Sequence, residues 1–201
     1  KKLRLSGILV TQNPLNCTHL AAPSIVRTKK FLCALACGPI IVSTSFIDAC
    51  LKDKELPNPE DYLLKDPESE KKFGVKLKDA LMRARENKHN LLRRVPVYCT
   101  DAVPNKPETY KDIVEANGGT FGIYRGRPII KPTNPKDDDG PPEPVYLLSG
   151  ESKSEKDLWP KFSKMARVGN MIPRIVMTEW LLDTAMLQKY KWDNKYLLYN
   201  E

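Results

Sequence analysis

The segment IVSTSF at 41–46 comes back as IVMTEW at 175–180, and YLL at 62–64 comes back at 196–198. Both returns lie at one offset with no gap between them (175 − 41 = 196 − 62 = 134). Ile41/Ile175, Val42/Val176, Thr44/Thr178, Tyr62/Tyr196, Leu63/Leu197 and Leu64/Leu198 are identical pairs. Phe46/Trp180 and Ile47/Leu181 are close substitutions. So long a period excludes a solenoid, whose units run roughly 20–50 residues. It requires two domains of one fold, and 201 residues allow two of about 100 each.

The second copy is the more complete. VPVYCT (95–100) reads as a strand, ETYKDIVEANGG (108–119) as a helix stopped by Gly118-Gly119, and TFGIY (120–124) and VYLLSG (145–150) as strands. SEKDLWPKFSKMARVG (154–169) reads as a helix interrupted early by Pro160, RIVMT (174–178) as a strand, and EWLLDTAMLQKY (179–190) as a helix burying Trp180, Leu181, Ala185 and Leu187. The Pro-rich, charged stretch 125–144 reads as a long mobile loop. Apolar strands alternating with helices predict a small parallel sheet covered on both faces, an α/β fold.

The first copy gives the same order: helix end LRLSG, strands ILVTQ and THLAA, helix 28–37, strand PIIVS and helix TSFIDACLKD. Nothing before Lys1 answers to VPVYCT, so the sequence is expected to begin inside the first domain. The domains are placed at 1–65 and 94–201, with 66–93 as a linker. There Leu77, Ala80, Leu81 and Ala84 recur at helical spacing, predicting a connecting helix packed on both domains with its Lys and Arg residues outward. The basic stretch 83–94 is interleaved with leucines rather than with stacking aromatics, which fits a solvated helix face better than a nucleic-acid surface.

Charge and cysteine use narrow the classes further. Net charge is +8, from 33 Lys and Arg against 25 Asp and Glu, which suits an acidic partner. No apolar run is long enough to span a membrane and no signal peptide is visible. Five cysteines, with Cys33, Cys37 and Cys50 in apolar helical patterns, read as reduced, buried thiols. No CxxC pair exists, and His19 and His89 lie far apart, so no metal is expected. No nucleophile–base pair, glycine-rich phosphate loop or carboxylate dyad appears at a recognisable spacing, so no enzyme is expected either.

One feature runs against helix electrostatics. In IVRTKKFL (25–32), Arg27, Lys29 and Lys30 crowd the opening turn of a helix whose N-terminus is already positive. Exposed cations on a solvated face would explain that. So would an anion held there by free N–H groups, a hydroxyl and an ammonium.

THLAAP, VRTKKFL, Gly118-Gly119, the aromatics of TSFIDAC and TEWLLD, and the linker DPESEKKFGVKLKDALMRAR together resemble a tandem BRCT module. The likeness covers nearly the whole chain, and it is to the C-terminal pair of fungal multi-BRCT genome-maintenance scaffolds, PTIP-like mediators. It implies two BRCT repeats, each a small parallel sheet flanked by helices, joined by a helical linker and packed side by side. It implies a phosphoserine-peptide reader in the nucleus, without cofactor. The ligand would be the phosphorylated C-terminal tail of a core histone at damaged chromatin, with other DNA-repair proteins reached through the rest of the scaffold.

The resemblance also assigns residues. Lys30 matches the lysine that contacts phosphate, and Thr28 the hydroxyl supporting it. Arg27 matches the arginine that reads the peptide three residues on, through main chain or terminal carboxylate, with Glu179 and Asp183 orienting it. Leu182 and the turn Val103-Pro104-Asn105 line the groove. The family's other phosphate contacts, a Ser or Thr followed by Gly, sit at the end of a first strand that this sequence lacks in its first copy. Ser6-Gly7 imitates the dipeptide, but the repeat aligns Gly7 with Gly119 at a helix end, so Ser6 is rejected. Two other readings remain: a phosphate-independent protein-interaction adaptor, and a basic nucleic-acid-binding module. Neither explains the cations at 27–30, and neither a membrane nor direct nucleic-acid contact is expected.

Overall fold

The computed structural model describes residue 3 and residues 7–52, 56–131, 140–190 and 192–199. It divides into two compact units, residues 1–89 with 185–189, and residues 90–184 with 190–201.

In the first unit, β1 (His19–Ala21) and β2 (Ile40–Val42) pair in parallel, His19 opposite Ile40 and Ala21 opposite Val42. Between them runs α1 (Lys29–Ala36), and after them come α2 (Ser45–Lys52), α3 (Pro67–Phe73) and α4 (Leu77–Asn87). Phe31 through Ala36 are all buried, so α1 is sunk on every side and only its first turn reaches solvent. It packs on α4, whose Leu77, Ala80 and Ala84 are buried and whose Leu81 is half-buried. Val42, Phe46 and Cys50 form a second small cluster with Ile8, Ile40, Ile47 and Tyr62.

The expected strand at 8–12 is not formed. Leu9 is 84% exposed and Val10 66%. A strand needs a hydrogen-bonding neighbour, and among the described residues none precedes it. The helix end before it lies largely outside the described residues, as does Ser6. What is described shifts the expected alignment by one residue. Ile8 N–H donates to Leu3 O as Gly119 N–H donates to Val114 O, and Gly7 (φ +76°) matches Gly118 (φ +77°) rather than Gly119.

In the second unit, β3 (Pro96–Cys99), β4 (Thr120–Ile123), β5 (Glu143–Leu148), β6 (Met171–Val176) and β7 (Leu197–Tyr199) form one sheet in the order β4-β3-β5-β6-β7. The first four are mutually parallel, while β7 closes the edge antiparallel to β6. Flanking helices are α5 (Pro107–Ala116), α6 (Lys153–Lys156), α7 (Trp159–Val168) and α8 (Glu179–Leu187). The expected helix over 154–169 is therefore two. The break falls at Asp157-Leu158, and Pro160 sits in the first turn of α7, where its missing N–H costs nothing. The core gathers Tyr124, Val145, Leu147, Trp159, Phe162, Ala166 and Ile175. Residues 132–139 of the Pro-rich loop lie outside the described residues. Its first part is not free, since Ile130 packs against this core and Ile129 N–H donates to Met165 Sδ.

The repeat is structural as well as sequential. Val42 bridges Leu63 antiparallel, and Val176 pairs with Leu197 in the same sense, 134 positions on. Ser43 N–H donates to Tyr62 O at 2.8 Å, and Met177 N–H to Tyr196 O at 2.9 Å, again 134 apart.

Two of the linker's arginines bond carbonyls distant in sequence, Arg83 half-buried and Arg85 exposed as expected. Arg83 Nε donates to Leu187 O at 2.8 Å, and Arg85 Nε to Gly38 O at 2.9 Å. Leu187 O is a helix-terminal carbonyl without an intrahelical donor, which Arg83 supplies, and Gly38 lies just past the end of α1. The cysteines are thiols rather than disulfides, with Cys33, Cys50 and Cys99 buried, and burial pushes the Cys99 thiol to about 12 and Cys37 to about 11.

Candidate functional site

The first unit gathers Arg27, Thr28 and Lys30 at the start of α1. Thr28 is the cap: its extended backbone starts the helix and its Oγ1 accepts from Phe31 N–H at 3.4 Å. That bond uses the oxygen as acceptor and leaves the hydroxyl proton available to an outside oxygen. Lys30 is exposed, and its ammonium has no hydrogen-bond or ion-pair partner among the described residues. Because the body of α1 is buried, this turn is the one part of the helix a ligand can reach.

The approach to the turn is fixed by a residue the sequence pattern did not single out. Asp66 Oδ2 accepts from Ile25 N–H at 2.8 Å, and Oδ1 accepts from Ser69 N–H at 3.0 Å, capping α3. One carboxylate thus ties the segment before Thr28 to the start of the linker. Those bonds, Ile25 first, hold Asp66 below its ordinary carboxylate value. Its signal was present as Asp-Pro, an N-cap followed by a proline in the first turn. Phe73, from the EKKFG stretch, lies under Arg27, with the guanidinium carbon 5.6 Å from its ring centroid.

The second unit holds the remaining predicted residues in two places. Val103 is buried, whereas Pro104 and Asn105 are exposed on the turn before α5. That turn is tied down by Tyr110 Oη donating to Pro104 O at 2.6 Å and Thr109 Oγ1 to Asn105 O at 2.7 Å. On α8, Glu179 is exposed and accepts from Thr178 Oγ1 at 3.3 Å. Leu182 is half-buried, and Asp183 accepts from Tyr196 Oη at 2.6 Å.

At the end of β3 the second unit has its own anion site, already filled. Thr100 Oγ1 donates to Glu155 Oε1 at 2.5 Å and Gly150 N–H to the same oxygen at 2.8 Å. Ser152 Oγ and N–H donate to Oε2 at 2.8 and 3.3 Å. Glu155 is 3% exposed. Burial works against its charge, but the bonds from Thr100, Gly150 and Ser152 outweigh it and hold the carboxyl below its usual range. This residue was missed in the sequence, although the S-x-x-E spacing of a capping box was its local signal.

Among the described residues, no group of three or more His, Cys, Asp or Glu could hold a metal ion.

The family model described as Regulator of Ty1 transposition protein 107 BRCT domain matches residues 1–64. BRCT-containing protein 1 of Schizosaccharomyces pombe is 43% identical over 132 residues, which cover 63% of this chain and 15% of that protein. Mediator of DNA damage checkpoint protein 1 of Homo sapiens is 40% identical over 104 residues, covering 52% of this chain and 5% of that protein. The chain thus spans a small fraction of these relatives' length. The crystal structure of the BRCT5-BRCT6 domains of S. pombe Brc1 superposes with a TM-score of 0.73 at 33% identity, covering 94% of this chain and 86% of that one. The complex of Rtt107p with a phosphorylated histone shares the fold, with a TM-score of 0.63 at 17% identity over 94% of this chain and 79% of that one. The parallel sheets with flanking helices, the closing contact repeated at an offset of 134 and these likenesses together have one meaning: the chain belongs to the tandem BRCT family.

Proposed function

We propose that this BRCT pair reads a phosphoserine near the C-terminus of a protein tail, as part of a nuclear DNA-damage-response scaffold. The observation that carries the reading is the first turn of α1. It is the exposed end of an otherwise buried helix, and it presents a capping hydroxyl and a lysine without a partner among the described residues, at the positive end of the helix dipole. A lysine and the positive end of a helix dipole at one point are tolerable where a phosphate dianion neutralises them, and the hydroxyl can donate to its oxygens. Thr28 and Lys30 take the phosphate. Arg27, whose planar fork holds a carboxylate through two parallel hydrogen bonds, takes the peptide's main chain or terminal carboxylate.

The roles of Glu179 and Asp183 in orienting Arg27, and of Leu182, Val103, Pro104 and Asn105 in lining the groove, belong to the same proposal. The filled anion site at Glu155 supports placing the phosphate in the first unit, because the equivalent donors of the second are already bonded. The phosphorylated tail of a core histone is the proposed ligand, supported by the shared fold of Rtt107p in its complex with a phosphorylated histone.

The test compares one phosphoserine peptide ending in a free carboxylate with its C-terminal amide. The amide should bind about tenfold or more weakly, as for loss of a charge-assisted pair worth about 1.5–3 kcal/mol. The gap should shrink in Arg27→Gln. Equal binding of acid and amide would mean that Arg27 acts structurally, through its stack on Phe73, and that the ligand is not a chain end.

A further inference from the structure

Arg174 is a half-buried cation inside the second unit's sheet, opposite Tyr146 on the neighbouring strand. Charges in such places are normally paired with an opposite charge. Among the described residues Arg174 has no carboxylate partner. Its surroundings are aromatic instead. The guanidinium carbon lies 3.9 Å from the Trp192 ring centroid and 5.5 Å from that of Tyr146. Nη1 donates to Tyr146 Oη at 2.5 Å, and that hydroxyl is in turn bonded to the Tyr190 hydroxyl. Tyr146 itself stacks on Trp180 at 3.8 Å between centroids. One face and one N–H of the guanidinium are therefore fixed, and a guanidinium has five N–H donors.

Arg174 also lines a pocket of about 340 Å³, together with Arg93, Arg94, Tyr190 and Glu143. Arg93 and Arg94 are exposed, and their guanidinia have no hydrogen-bond or ion-pair partner among the described residues. Arg94 is held at φ +64°, left-handed backbone that a non-glycine residue adopts at a cost. The pocket lies where β3 and β5 begin. Thr100 and Glu155 lie where they end, so the two places are at opposite ends of one sheet.

We propose that this pocket is a second anion site, taking the phosphorylated side chain of a peptide. Three guanidinia against one carboxylate leave a surplus of two positive charges (3 − 1 = 2), which matches a phosphate monoester of about −1.5 to −2. Guanidinium forks suit phosphate oxygens, and Arg174 is already oriented by its stack and its phenol. The size favours a side chain over nucleic acid. The pocket sits at the small end of single-ligand sites and cannot admit a duplex. Glu143 in the wall would repel a polyanionic backbone, yet it can accept a peptide N–H. None of Arg27, Thr28 or Lys30 belongs to this pocket, so it stands independently of the site on α1. A partner phosphorylated twice at suitable spacing would gain from both at once.

The probe is N-acetyl-phosphoserine methylamide, titrated into the intact chain while the Trp192 indole N–H and Arg174 Nε–H signals are followed by NMR. Both should shift, and they should shift equally in Lys30→Met, which alters only the α1 site. The double variant Arg93→Gln, Arg94→Gly should lose at least about tenfold in affinity, the effect of one charge-assisted hydrogen bond. Arg94→Gly relieves the strained backbone, so a loss of binding cannot be blamed on unfolding. Absent shifts at Trp192 and Arg174, or affinity unchanged in the double variant, would overturn the proposal. So would a single-stranded oligonucleotide that moves the same signals at lower concentration than the phosphoserine probe, which would make the pocket a nucleic-acid site.

Discussion

Glu155 shows at a single residue how this fold handles an anion. A carboxylate 3% exposed survives because four donors from Thr100, Gly150 and Ser152 converge on it. Glu155→Gln keeps the shape but sets an NH₂ group against N–H and O–H donors. Leaving one buried donor unmet costs about 1–3 kcal/mol. Because the folded-state pKa is depressed, the charge contributes stability above the unfolded value near 4.3 and loses it as pH falls through the folded value. Urea unfolding of wild type and Glu155→Gln should therefore differ at neutral pH, and the difference should shrink as pH falls below the ordinary glutamate value of about 4.3. A difference that persisted in acid would mean that the carboxylate's charge is not what holds this corner.

At the scale of elements, α1 and α4 set the exposed turn. Gly38, just past α1, sits at φ +63°, and a Cβ there would come within 2.6 Å of Arg85 Cγ and 3.3 Å of Arg85 N. Gly38→Ala should destabilise the first unit by about 1–3 kcal/mol, through the positive φ and the displaced Arg85 contact. Lowered stability with normal phosphopeptide affinity at low temperature is the expected pattern. Unchanged stability would mean that the approach of α4 to the end of α1 is loose. Arg85 also shows where sequence stops being legible. Its charge predicted an outward face and it is exposed, but nothing local pointed to the bond from its Nε to the Gly38 carbonyl, 47 positions away in sequence. By contrast the recurrence of YLL at 62–64 and 196–198 was readable as a repeat, though not the antiparallel pairing that Leu63 and Leu197 make. The strand expected at 8–12 misled for the opposite reason. Its pattern was apolar, but a strand is a relation between two segments, and no described strand precedes it. For the site, a cap at either Ser24 or Thr28 and the cations at 27–30 were legible locally, and the structure selects Thr28. Asp66 on Ile25, Phe73 under Arg27 and the arginines around Arg174 were not, since each rests on contacts between residues distant in sequence.

Across the whole molecule, one fold is used twice with different outcomes at its strand ends. Both units keep the closing antiparallel contact and its N–H···O bond at an offset of 134, although the described residues of the first unit form a two-stranded sheet and those of the second a five-stranded one. In the second unit the donors after β3 are occupied by Glu155, and in the first the turn at Thr28 and Lys30 is open. One phosphate is therefore expected at that level of the pair, held by the first unit. The most direct test is a calorimetric titration of one serine peptide, phosphorylated and unphosphorylated, into wild type and Lys30→Met. Phosphorylation should strengthen binding to the wild type. Lys30→Met should weaken phosphopeptide binding by roughly ten- to a hundredfold while thermal stability is unchanged, from a charge-assisted contact worth about 1.5–3 kcal/mol. Equal affinity of the two peptides for wild type, or of the phosphopeptide for wild type and Lys30→Met, would contradict a phosphate site at the start of α1.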